Sequence, residues 1–123
     1  MSKLESEFFR DILKPALEHL FPGIVIIKQD PNASFQGMPD YLLLYNSYWA
    51  ALETKRARSS ERQPNQEYYV NKFNELSYAA FVHPGNMQEV LDGIQKAFGV
   101  GGKARRPFSF ETSLAKLQRR ETV

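Results

Sequence analysis

A chain of 123 residues has room for one domain and one core, and 42% hydrophobic residues, with nine Phe, six Tyr and one Trp, are enough to build it. The absence of Cys excludes a disulfide framework, a thiolate zinc site and a cysteine nucleophile, and two histidines, His19 and His83, exclude a histidine-rich metal centre. Net charge is only +2 but uneven: residues 103–123 carry six Lys or Arg against two Glu, which is +4 and leaves −2 for the rest. Clustered cations suit a polyanionic partner and equally a solvated surface.

From Leu4 to Leu20, Leu4, Phe8, Phe9, Ile12, Leu13, Ala16, Leu17 and Leu20 recur at helical spacing, and Pro15 is expected to bend that helix. Pro22-Gly23 ends it. The β-branched run Ile24-Val25-Ile26-Ile27 then reads as a buried strand, and residues 30–38 as a polar loop. Tyr41–Tyr45 and Tyr48–Leu52 form two strands around a tight Asn46-Ser47 turn. Residues 56–63 are a basic loop, and Pro64 opens a helix running to about Ser77. Tyr78–His83 is a short strand closed by Pro84-Gly85. Asn86, followed by Glu89, resembles a helix N-cap arrangement before the face Val90, Leu91, Ile94, Ala97 and Phe98. The expected order is α-β-β-β-α-β-α, an α/β fold with a mixed four-stranded sheet flanked by helices. Residues 1–98 form the domain, and 99–123 a basic C-terminal extension with a short helix near 113–120.

The hairpin carries a geometric expectation. A turn centred on Asn46 and Ser47 pairs Tyr45 with Tyr48, Leu44 with Trp49 and Asp40 with Glu53. Directly opposed residues share a sheet face, with Cβ atoms about 4.5–5.5 Å apart. Lys55, two residues beyond Glu53, points to the same face. Opposed carboxylates beside a core are destabilising unless a cation compensates. A hard divalent ion does so; Lys55 in a buried Asp–Glu–Lys network is the other reading. In the first helix, the apolar stripe centres near Glu5, whereas Glu7, Asp11 and Glu18 lie opposite. Glu5 therefore either meets something polar across the interface or frays into water.

Gly37-Met38-Pro39-Asp40, followed by Glu53-Thr54-Lys55 at a strand end, resembles the PD-(D/E)XK nuclease signature. Gln66 followed by Tyr69 is similar to the Gln-x-x-aromatic element of its virus-type replication-repair (VRR-NUC) branch, and Glu5 matches that branch's N-terminal helical Glu. The resemblance covers about residues 4–98, and archaeal-type Holliday-junction resolvases are the related alternative. It implies a restriction-endonuclease-like core and a Mg²⁺-dependent deoxyribonuclease, with Mn²⁺ as substitute. Asp40, Glu53, the Thr54 carbonyl and, through water, Glu5 would hold the ion. Lys55 would stabilise developing charge and Gln66 would orient water or phosphate. The family cuts in line and leaves a 5′-phosphate.

Lys28, Arg56, Arg58 and Arg62 are candidate phosphate contacts. Tyr69 reads as packing and His83 as structural; Tyr41, Tyr45, Tyr48 and Trp49 read as core and hairpin packing. Phe108 and Phe110 are expected to dock on the chain's own domain or on a second subunit. The expected activity is structure-selective endonucleolysis of branched DNA in replication, recombination or repair, of a kind that suits a bacteriophage. Cutting both strands of a junction requires a homodimer. A catalytically silent DNA-binding module of the same fold and a sequence-specific restriction-type enzyme are the competing readings. No apolar run approaches the roughly 18–20 residues of a membrane span, so a cytoplasmic location is expected (the host's, if viral), with no membrane partner.

Overall fold

The computed structural model describes residues 3–29, 37–57, 62 and 64–99. Helix α1 (Lys3–Phe8) runs through a π-helical turn (Phe9–Leu13) into α2 (Lys14–Leu20). Strands β1 (Val25–Lys28), β2 (Tyr41–Tyr45) and β3 (Tyr48–Thr54) follow, then α3 (Pro64–Leu76), β4 (Tyr78–Val82) and α4 (Met87–Ala97). The sheet order is β1-β2-β3-β4, antiparallel except for the parallel β3–β4 pair that α3 connects. This is a mixed α/β architecture with helices on both faces of a four-stranded sheet.

Just before Pro15, where the sequence predicts a bend, the helix carries a π-helical turn. Proline has no N–H and its ring crowds the carbonyl four residues back. The backbone widens there, and the Lys14 N–H reaches past the usual partner to the Phe9 carbonyl. One face of the sheet buries Tyr41, Leu43, Ala50, Leu52 and Val82 against Phe9, Leu13 and Leu17 of the first helical unit and Leu91 and Ile94 of α4. The other buries Ala51, Ala79 and Phe81 under Val70 of α3, with Trp49 and Phe73 beside them.

Three expectations change. β1 is not buried: it is an edge of the sheet, with Val25 51% and Ile27 42% exposed. Ile26, on the strand's other face, and Ile24 just before it do pack on the core, while among the described residues α3 packs chiefly on β3 and β4. Leu4, counted in the first helix's apolar stripe, is exposed. Asn86 occupies the N-cap position of α4 but does not cap it. Its Oδ1 accepts from the His83 N–H at 2.8 Å and its amide donates to the Phe81 carbonyl at 2.9 Å, so it ties the strand end instead. The boundary expected at residue 99 falls where the described residues end, and 100–123 lie outside them. Among the described residues no helix is long and apolar enough to cross a membrane.

Candidate active site

The hairpin register is Tyr45↔Tyr48, Leu44↔Trp49 and onward to Tyr41↔Leu52, as the turn position requires. Asn46 makes the turn at φ 55°, the left-handed conformation that Asn tolerates. One step beyond the last pair stand Asp40 and Glu53. Asp40 is held on both sides: its carbonyl accepts from the Gln29 N–H at 2.7 Å, which continues the β1–β2 ladder. Its Oδ2 accepts from the Thr54 N–H at 3.1 Å and from the Thr54 hydroxyl at 2.8 Å. Pro39, fully buried, anchors the approach.

Lys55 stays in the parallel ladder, donating its N–H to the Val82 carbonyl at 2.8 Å. Strand alternation then turns the Thr54 N–H and carbonyl toward Asp40 and puts Glu53 and Lys55 on the α3 face. Lys55 Nζ donates to Gln66 Oε1 at 2.9 Å, so the first turn of α3 meets the end of β3. Gly37 makes that approach possible. It has φ +88°, and a Cβ there would lie 2.8 Å from the Asn65 carbonyl carbon and 3.0 Å from the Gln66 nitrogen.

The electrostatics are unbalanced in one direction. Glu53 is buried, and its carboxyl is pushed up to about 9, first by desolvation, then by the charge of Asp40 and a shared hydrogen bond with it; Glu5 adds to the effect. Lys55 lowers it but offsets only part of the rise. Glu53 Oε1 is buried without a hydrogen-bond partner. Desolvation, and then the charges of Asp40 and Glu53, push the Tyr41 hydroxyl up to about 12. Tyr41 stacks face to face on Phe9, with centroids 3.6 Å apart, which docks the helical unit bearing Glu5 beside the site.

Among the described residues no three Asp, Glu or His side chains converge closely enough to cage an ion alone. Mg²⁺ asks for less: one or two carboxylates, with remaining positions filled by water and substrate oxygens. Two touching acids, an orphaned buried carboxylate oxygen and a nearby strand-end carbonyl fit that requirement. Glu5 lies within electrostatic range of Glu53 without completing a three-acid cage.

Comparison with family models, curated proteins and solved structures finds no match to this chain.

Around the centre, Lys28 closes β1 opposite Tyr41 and is exposed, as is Arg56 just past Lys55. Arg62 places its guanidinium 3.9 Å from the centroid of the Phe81 ring. Arg58 and the Phe108–Phe110 pair lie outside the described residues. Tyr69 packs against Tyr68 and Phe73. His83 is buried and accepts from the Gly85 N–H at 3.0 Å, a turn contact. Two features escaped the sequence reading. The Thr54 hydroxyl orients Asp40, whereas the sequence points only to the Thr54 carbonyl; the Phe81 platform under Arg62 depends on β4 register, which no local pattern encodes.

Proposed function

We propose that the chain is a metal-dependent nuclease of the PD-(D/E)XK kind, with a restriction-endonuclease-like core, that hydrolyses DNA phosphodiester bonds. The observation that carries this reading is the contact of Asp40 with the buried, strongly perturbed Glu53, beside the Lys55–Gln66 bond. An acid pair whose buried member is driven to keep its proton is costly in a purely structural role and useful where a cation and a phosphate must be received.

Asp40, Glu53 and the Thr54 carbonyl are the residues that would hold Mg²⁺, or Mn²⁺ in its place, with Glu5 acting through water. When bound, the ion supplies Lewis-acid polarisation of the phosphodiester and lowers the pKa of water. Thr54 fixes the rotamer of Asp40. The Lys55 ammonium, aimed by Gln66 Oε1, stabilises the negative charge that grows on the phosphate oxygens during attack. Gln66 would also orient the incoming water or a phosphate oxygen. Water adds to phosphorus, the bond to the 3′ oxygen breaks, and that oxygen takes a proton to leave a 3′-hydroxyl and a 5′-phosphate. A branched DNA substrate and a homodimer with paired sites go with this reading.

The test is cleavage of junction, flap, single-stranded and duplex DNA with Mg²⁺, with Mn²⁺ and with EDTA. Cutting that requires the metal and falls at least about 100-fold in Asp40→Asn, with DNA binding retained, is the expected result. Binding without cutting on every substrate would leave a non-catalytic DNA-binding module.

A further inference from the structure

Among the four basic side chains that surround the site in sequence, Arg62 differs from the described others in how it is held. Its guanidinium rests on the ring of Phe81, 3.9 Å from the centroid. Phe81 is itself buried and pairs in register with Glu53 across the parallel β3–β4 ladder, one strand spacing, about 4.8 Å, away. Arg62 thus sits over the sheet face that carries Glu53 and Lys55 and on which α3, the helix of Gln66, packs. Lys28 and Arg56 are exposed, and neither has a described ring contact of this kind.

A ring under one face of a guanidinium removes much of its rotational freedom while leaving the N–H edge open. That edge has one described acidic neighbour: Nη1 lies 3.9 Å from Glu67 Oε1, longer than a hydrogen bond. The Glu67 side chain is itself 55% exposed, so the pair is a loose one in water. An oriented donor fork over the strand beside Glu53, whose described acidic neighbour is a distant, solvated carboxylate, matches a bidentate oxyanion such as a phosphodiester.

We propose that Arg62 is a substrate clamp. Its fork grips the non-bridging oxygens of a backbone phosphate lying next to the phosphate received at Asp40 and Glu53, and Glu67 occupies the fork weakly until DNA displaces it. The clamp rests on the nuclease reading for its place beside the scissile bond, but binding alone can test it.

The experiment measures binding of a labelled duplex and a labelled four-way junction across a salt series, with the full chain in the non-cutting Asp40→Asn background. Arg62→Ala should weaken binding of both DNAs about tenfold and reduce the slope of log affinity against log salt by about one. Arg62→Lys should restore the slope and recover only part of the affinity, because an ammonium neither stacks flat nor forks. Glu67→Gln should tighten binding when Arg62 is present and have a much smaller effect in Arg62→Ala; a merely structural Arg62 would show no such coupling. Unchanged affinity and slope in a folded Arg62→Ala protein would overturn the clamp. In parallel, the otherwise wild-type enzyme is assayed for cleavage with Mg²⁺. Cutting with no Arg62 effect removes the clamp alone; an Arg62 effect on binding with no cutting removes the nuclease reading and leaves the clamp.

Discussion

Thr54 and Glu53 are neighbours on one strand with opposite situations. Thr54 is fully buried and makes two donations to one oxygen of Asp40, whereas Glu53 is buried with an oxygen that nothing satisfies. Replacing Thr54 with Val keeps the shape and the backbone donor but removes the hydroxyl. This should cost about 1 kcal/mol of stability and lower kcat more than it raises KM, because Asp40 loses its orientation; chemical unfolding and steady-state kinetics check this. For Glu53 the sign of the pH effect follows from its raised pKa. The folded protein holds that proton up to about 9, while the unfolded chain releases it near 4.5. The contribution is therefore fully present below about 4.5 and is lost as pH rises toward 9. In EDTA, the melting temperature of Glu53→Gln minus that of the parent should grow between pH 5 and 9, and in a separate assay with Mg²⁺ the variant should not cleave. A gap that is flat with pH would show that Glu53 ionises normally. The acid pair itself was readable from the turn position, since register follows from a two-residue hairpin. The hydroxyl's part was not, because alternation says which face a side chain takes and not what it donates to.

Among the elements, β1 and the loop before β2 show how the same residue types acquire different weight. Val25 and Ile27 look like core in sequence but stand on an exposed edge, whereas Leu43 on β2 is fully buried. Val25→Thr should change stability by less than about 0.5 kcal/mol, and Leu43→Ala should cost about 2–5 kcal/mol, both measured by urea unfolding. Gly37 is constrained twice, by a positive φ and by the backbone at the start of α3. Gly37→Ala should cost about 1 kcal/mol or more and push the first turn of α3 outward. The Lys55–Gln66 bond should lengthen with it, so activity should fall further than stability predicts, which parallel unfolding and cleavage assays would reveal. The first helix was legible from its period and a break in its regularity from Pro15, but not the π-helical turn in which the Lys14 N–H reaches the Phe9 carbonyl.

At the level of the whole molecule, two helical layers press on a sheet whose β2–β3 and β3–β4 junctions end in charge. A ligand that relieves that charge stabilises the folded state by mass action, by about 2.7 kcal/mol at a concentration one hundred times its Kd. Mg²⁺ or Mn²⁺ should therefore raise the melting temperature of the parent protein at neutral pH, and should have little effect on the Asp40→Asn, Glu53→Gln double variant. A metal-independent melting temperature in the parent would remove the ion from this site.

The sequence by itself determined the elements, the hairpin register and hence the meeting of Asp40 with Glu53, because turn position and period-two alternation are local properties. Tertiary structure alone decided that β1 is an edge, that the α3 turn brings Gln66 to Lys55, and that Phe81 lies under Arg62. Each of these depends on where a distant segment packs, and β4 joins β3 only after a helix has crossed over. Burial does the rest: the sequence contains a glutamate, and only the packed sheet turns it into an acid that holds its proton.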